Sequence, residues 1–75
     1  MDLPFVVIDD EIGIHLKRFD QIRKGDVFMV NGKVAVCDEP PHISGDATYD
    51  GWLLYDEDGN AWFPEDLDRW EDMQL

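Results

Sequence analysis

The sequence predicts one small domain built mainly of β-strands. Two observations support this prediction: short runs of β-branched and aromatic residues recur along the chain, and turn-forming residues separate them. The composition agrees, because 75 residues with 44% hydrophobic and 12% aromatic side chains are typical of a packed core rather than of a disordered acidic tail. A barrel, a sandwich and a small α+β unit are all compatible with this length.

The first strand is predicted at FVVI (residues 5–8), where three of the four side chains are β-branched. Residues 9–24 fit two structures. Their apolar side chains recur at helical spacing, but the apolar residues from Ile12 to Leu16 also alternate, and Gly13 would interrupt a helix. We therefore expect an irregular hairpin here, with a helix as the alternative.

The next hairpin has a clearer signal. The runs VFMV (27–30) and VAVC (34–37) flank Asn31-Gly32. This dipeptide readily adopts the two positive φ angles of a type I′ turn. The sequence therefore predicts a tight two-residue hairpin.

The second half of the chain predicts another hairpin, WLLY (52–55) and AWFP (61–64), joined by the polar turn DEDGN. Before it, residues 38–51 contain two prolines and two glycines, and we expect them to form a long loop. After it, apolar side chains spaced by three within residues 65–75 predict a short C-terminal helical turn.

Alternate side chains of these strands should form the core. We expect the following residues to be buried: Val6, Ile8, Ile22, Phe28, Val30, Val36, Leu53 and Phe63. Four other aromatic side chains are candidates for a partly exposed aromatic patch: Trp52, Tyr55, Trp62 and Trp70.

Two stretches resemble the Src-homology-3 (SH3) family. Residues 19–30, F-x-x-IRKGDVF-x-V, are similar to its strand-entry turn, and residues 51–67, GWL…DG-x-x-WFPEDL, are similar to its later hairpin and 3₁₀ step. The resemblance spans roughly residues 5–68, apart from the connection between the two stretches. It implies a small SH3-like barrel of about five strands with a short C-terminal helical turn, as a single domain over residues 1–75.

The resemblance does not extend to the family's groove for proline-rich peptides, which uses several tyrosines and a tryptophan. Trp52 and Pro64 match groove positions, but residues 6–9 lack the first-strand tyrosines and Leu67 replaces the last one. We therefore expect weak polyproline binding at best.

No motif for metal or catalytic chemistry is complete. A calcium loop beginning at Asp56 would place Gly59 at position 4 and Leu67 at position 12, whereas an EF-hand needs Gly at 6 and a bidentate Glu at 12. The two histidines and Cys37 do not have a zinc-ligand spacing. We predict a protein that is not an enzyme and holds no metal or other cofactor.

Cysteine usage and the N-terminal residues indicate the compartment. Cys37 is the only cysteine, which excludes an intrachain disulfide and favours a reducing environment. Residues 1–8 have no basic segment, and their apolar run is too short for a signal peptide. We expect a cytoplasmic protein.

Charge is the strongest functional signal. The net charge is −12, and it is uneven: residues 1–37 hold six acids and five bases, whereas residues 38–75 hold twelve acids and one base. Such a field repels nucleic acids and anionic membranes and attracts basic surfaces. Carboxylates on one face of a strand lie about 6.5–7 Å apart, so a cluster of them approaches the charge density of DNA over a short length.

We therefore predict an acidic, non-catalytic module that binds a basic, nucleic-acid-binding protein and inhibits or modulates it, without contacting nucleic acid or membrane directly. In class, the chain resembles phage-encoded inhibitors of host defence, including anti-CRISPR proteins and DNA mimics. The candidate contacts are Asp56, Glu57, Asp58, Glu65, Asp66, Asp68, Glu71 and Asp72, with Trp52 and Trp70 as aromatic anchors. The alternative is a structural or accessory module that binds through the aromatic patch and is acidic only for solubility.

Overall fold

The computed structural model describes residues 3–44 and 51–69. These residues form six antiparallel strands: β1 (Phe5–Asp10), β2 (Gly13–Arg18), β3 (Val27–Val30), β4 (Lys33–Ile43), β5 (Trp52–Asp56) and β6 (Ala61–Trp62). Two 3₁₀ turns accompany them, at Phe19–Gln21 and Pro64–Asp66. The prediction of a mainly β protein is confirmed.

The six strands lie in the order β2-β1-β3-β4-β5-β6. The structure has six strands, whereas about five were expected. The β1–β2 hairpin contributes two strands of six residues each, and β6 has only two residues. The sheet is open, and its strands do not close into the expected barrel. Within the described residues its two edges are β2 and β6.

Within residues 9–24, residues 9–18 belong to a hairpin, and the 3₁₀ turn Phe19–Gln21 follows it. β1 and β2 pair in register from Phe5 opposite Arg18 to Asp10 opposite Gly13. Gly13 has a φ of 115°, which a side chain would strain. The expected hairpin is therefore confirmed, and the alternation of apolar residues was the better guide than their helical spacing.

The Asn-Gly hairpin is also confirmed. Asn31 and Gly32 have φ angles of 53° and 79°, and Val30 lies opposite Lys33 at the end of the ladder. Both turn residues therefore adopt the left-handed region that a type I′ turn requires.

The expected loop over residues 38–51 is wrong in its first part, because β4 continues to Ile43. The two prolines lie between Glu39 and His42, where the register with β5 shifts. A bulge of this kind tolerates proline, since the missing N–H is not needed by the neighbouring strand. Residues 45–50 of the expected loop lie outside the described residues.

The β5–β6 hairpin is confirmed, and the 3₁₀ turn Pro64–Asp66 follows it. The part of the predicted C-terminal helical turn that falls on residues 70–75 lies outside the described residues. Beyond the 3₁₀ turn the chain returns to the first strands: the backbone of Asp68 donates to the carbonyl of Met29 (2.8 Å) and accepts from the N–H of Val7 (3.2 Å).

The core agrees with six of the eight expected residues: Val6, Ile8, Ile22, Phe28, Val30 and Leu53 are buried. Val36 and Phe63 are only half-buried, so these two predictions are wrong. Phe19, Cys37, Leu54 and Leu67 complete the core instead. Leu53 and Leu54 are consecutive and both buried, which simple strand alternation does not predict.

Candidate protein-interaction surfaces

Asp56 is buried at the start of the β5–β6 turn and is 4% exposed. One carboxylate oxygen accepts the backbone N–H groups of Asp58 and Asn60, each at 2.9 Å, and the other accepts the indole N–H of Trp62 at 2.8 Å. Burial raises the pKa of this carboxyl, but these donors outweigh it, so the pKa lies below its usual value. Asp56, predicted as a partner contact, is committed to the turn.

Two further predicted contacts also hold the backbone. The carboxylate of Asp68 accepts the N–H groups of Asn31 (2.9 Å) and Gly32 (2.7 Å), and so ties the end of the chain to the β3–β4 turn. The carboxylate of Asp66 accepts the N–H of Phe63 at 2.8 Å and closes the 3₁₀ turn. Both carboxylates therefore already accept hydrogen bonds from the protein's own backbone.

The remaining predicted contacts divide between exposed and undescribed positions. Glu57, Asp58 and Glu65 are exposed. Trp52 is half-buried against the core. The other three candidates, Trp70, Glu71 and Asp72, lie outside the described residues.

The fold brings two more acids to Glu57 and Asp58. Asp38 and Glu39 are exposed on β4, where Glu39 lies opposite Tyr55 of β5. The N–H of Glu57 donates to the carbonyl of Val36 at 3.0 Å, so the β5–β6 turn rests against this part of β4. We call the four exposed carboxylates Asp38, Glu39, Glu57 and Asp58 the acidic end.

Half of the acidic end, Asp38 and Glu39, falls in residues 38–51, where the sequence predicts a loop. One signal could have found it: no turn-forming residue separates VAVC from Asp38, so the strand has no reason to stop at Cys37. Lys24 lies 3.8 Å from Asp38, but both side chains are more than half exposed. An ion pair of this kind is worth little, so the acidic end remains negative.

The aromatic side chains are partly used by the structure. Trp62 donates its indole N–H to Asp56, and Trp52 packs on the core. Tyr55 stacks on His42 with ring centroids 6.3 Å apart. All three predicted aromatic residues within the described chain are half-buried, which leaves part of each ring at the surface.

An open cleft of about 1130 Å³ lies between the β1–β2 hairpin and residues 20–27. Lys17 lines this cleft. Its ammonium group lies 2.7 Å from the carboxylate of Asp26 and 3.1 Å from that of Asp10. His15 lies 2.8 Å from the same Asp10 carboxylate. The carboxylate of Asp26 also accepts the N–H of Arg23 at 2.9 Å.

This network shifts the pKa values of Asp10 and Lys17. The hydrogen bond from His15 is the main reason that the pKa of Asp10 falls to about 2, and the bond from Lys17 lowers it further. Burial lowers the pKa of Lys17, but its bonds to Asp26 and Asp10 outweigh burial and raise it. Lys17 thus joins Asp10 of β1 to Asp26 before β3, and we call this pair of contacts a structural clamp. In the part of the chain that the structure describes, no three metal-ligating side chains gather.

Cys37 is fully buried, and its burial is the main reason that its pKa rises to about 11; the charges of Asp26 and Asp38 act in the same direction. The thiol is therefore protonated at neutral pH and is a poor nucleophile. The imidazole Nδ1 of His42 is 2.9 Å from the carbonyl of Pro40.

No family model, curated protein or solved structure matches the chain. Among residues 3–44 and 51–69, no helix has the length and apolar character needed to cross a membrane.

Proposed function

We propose that this chain is a small acidic binding protein that docks on the basic surface of a nucleic-acid-binding protein and inhibits or modulates it. The observation that supports the proposal is the acidic end, where neighbouring backbone segments of β4 and the β5–β6 turn carry four exposed acidic residues. No step in this function requires catalysis or a cofactor. The cytoplasm is the compartment in which such a partner would be met.

The mechanism follows from electrostatics. A groove of lysine and arginine side chains that binds phosphates also attracts a rigid cluster of carboxylates. The bonds of Asp56 to Asp58 and Asn60 fix the backbone of the β5–β6 turn, so less loop entropy is lost when the turn docks. The proposed biological setting, a phage or mobile-element inhibitor of host defence of the anti-CRISPR or DNA-mimic kind, follows from this charge and small size alone.

For the fold, we propose an SH3-like arrangement in which the open sheet bends towards a barrel. Three features support it. The bulged strand β4 pairs with β3 along its first part and with β5 along its second. A 3₁₀ turn follows β6, and the chain then returns to β1. The single hydrogen bond from Val7 to Asp68 lies where the last SH3 strand would pair with the first.

The alternative function, a structural or accessory module, has one observation in its favour. Trp52, Tyr55 and Trp62 lie on adjacent strands and each remains partly exposed. Aromatic side chains of this kind often supply the anchors of protein interfaces. In this alternative, the acidic end serves only solubility.

Two matched variants separate the proposals. Glu57→Gln with Asp58→Asn removes one Glu and one Asp from the acidic end, and Asp9→Asn with Glu11→Gln removes the same two charges from the β1–β2 hairpin. All four side chains are exposed. Wild type and both variants are used to capture proteins from a host lysate, with elution by a salt gradient, and each captured protein is then purified and tested for competition with duplex DNA.

We expect a DNA-binding protein that elutes at moderate salt, is held by wild type and by the Asp9/Glu11 variant, and is released from DNA by both. Equal capture by the Glu57/Asp58 variant would contradict the proposed use of the acidic end. If Trp52→Ala then abolished capture, the alternative module would be the correct one.

A further inference from the structure

The strand β2 has an unusual distribution of side chains for the edge of a sheet. Its polar residues His15 and Lys17 point inward to Asp10 and Asp26, whereas Ile14 and Leu16 point outward. Ile14 is 64% exposed and Leu16 46%. The amphipathic pattern is therefore inverted, with the apolar side at the surface.

Neighbouring residues extend this apolar surface. Ile12 at the hairpin turn is 83% exposed, and Phe5, which lies opposite Arg18 on the same face of the hairpin, is 57% exposed. Within the described residues, no strand pairs with the outer edge of β2. The edge thus combines unpaired backbone groups with a row of large apolar side chains, which is the usual template for strand addition.

We infer that β2 is the interface of a symmetric dimer, in which the β2 strands of two copies pair antiparallel and continue the sheet. A two-fold axis at His15 places Ile14 of one copy opposite Leu16 of the second, and Leu16 opposite Ile14. Both contacts are apolar and lie on the same face of the joined sheets. This self-complementarity is what a two-fold interface requires.

The charge distribution is compatible with a second copy at this edge. Each chain carries −12, so two copies repel each other. The bases of β2 are already neutralised, Lys17 by Asp10 and Asp26 and Arg18 by Asp20. The four residues of the acidic end lie on β4 and the β5–β6 turn, whereas β2 forms the other edge of the strand order. Pairing through β2 therefore leaves β1 and β3 of each copy between the joined edge and its acidic end.

The test is sedimentation equilibrium over a range of protein concentrations at low and high NaCl. We expect wild type to approach about twice the 8.7 kDa mass of one chain, and the dimer to tighten with salt because screening reduces the repulsion. Ile14→Lys should weaken it by about tenfold or more. Ile43→Lys is the matched control, because Ile43 is 67% exposed on β4, close to the 64% of Ile14.

A mixture of two variants tests the register. Ile14→Lys and Leu16→Glu should each weaken self-association, but a mixture sets the introduced ammonium of one chain opposite the introduced carboxylate of the other. We expect the heterodimer to form more tightly than either homodimer, while circular dichroism shows that both variants are folded. A wild-type chain that stays monomeric at all concentrations in both salts, or a dimer lost equally in Ile43→Lys, would overturn the inference.

Discussion

The indole N–H of Trp62 donates to the buried carboxylate of Asp56 across the β5–β6 hairpin, at 2.8 Å. This contact joins the two features that make the second half of the chain unusual, its aromatic strands and its acidic turns. The acid is there because the turn presents inward-facing N–H groups that need an acceptor. Some of the acidic side chains therefore stabilise the fold, whereas the four carboxylates of the acidic end are exposed.

We expect Asp56→Ala to lower the free energy of unfolding by about 2–4 kcal/mol. The substitution leaves the N–H groups of Asp58 and Asn60 and the indole of Trp62 without their acceptor in a partly buried site. Urea denaturation followed by tryptophan fluorescence measures the change. Asp58→Asn, two residues away and exposed, should alter stability by less than about 0.5 kcal/mol; equal losses in the two variants would contradict the role given to Asp56.

The thiol of Cys37 should be protected from alkylation in the folded protein. Its pKa rises from 9.0 to about 11, which reduces the thiolate fraction near pH 8 by about a hundredfold, and the side chain is fully buried. Iodoacetamide labelling, followed by mass spectrometry, should therefore be at least about a hundredfold slower than in urea. Labelling of the native chain at the denatured rate would mean that β4 opens readily around this residue.

The hairpins were predictable from the sequence because their signals are local. Asn31-Gly32 specifies its turn through backbone conformation alone, and the alternation around Gly13 specifies the first hairpin. The extension of β4 was not predictable in the same way. Pro40 and Pro41 oppose a strand locally, and only the bulge against β5, a contact between distant segments, allows it.

The candidate site could be predicted in charge but not in geometry. A count of acids does not distinguish Asp56, which is buried, from Glu57, which is exposed, although they are adjacent. The difference depends on which N–H groups the turn leaves unpaired, and this is known only once the turn is built. For the same reason, the sequence does not predict that Asp68, a proposed partner contact, also holds the β3–β4 turn at Gly32, 36 residues away.

Added NaCl should stabilise the fold. A net charge of −12 on 75 residues disfavours the compact state, and raising the ionic strength shortens the screening length from about 10 Å at 0.1 M to about 3 Å at 1 M. We expect the melting temperature to rise over this range, and to rise less in the Glu57→Gln/Asp58→Asn variant, which carries two fewer charges. A melting temperature that falls with salt would show that the partly buried pairs of Lys17 outweigh the repulsion.

The Asp10 carboxyl should make stability depend on pH in a defined window. Its pKa is about 2 in the folded protein, against an ordinary value of 3.8, so the unfolded chain binds more protons between these values. Its contribution is therefore fully present above about pH 4 and is lost as the pH falls towards 2. We expect the stability difference between wild type and Asp10→Asn to follow this course, measured by urea denaturation at successive pH values. Asp9→Asn, at the neighbouring exposed residue, is the control. If Asp9→Asn and Asp10→Asn follow the same course with pH, the Asp10 carboxylate does not clamp Lys17 and His15 in solution.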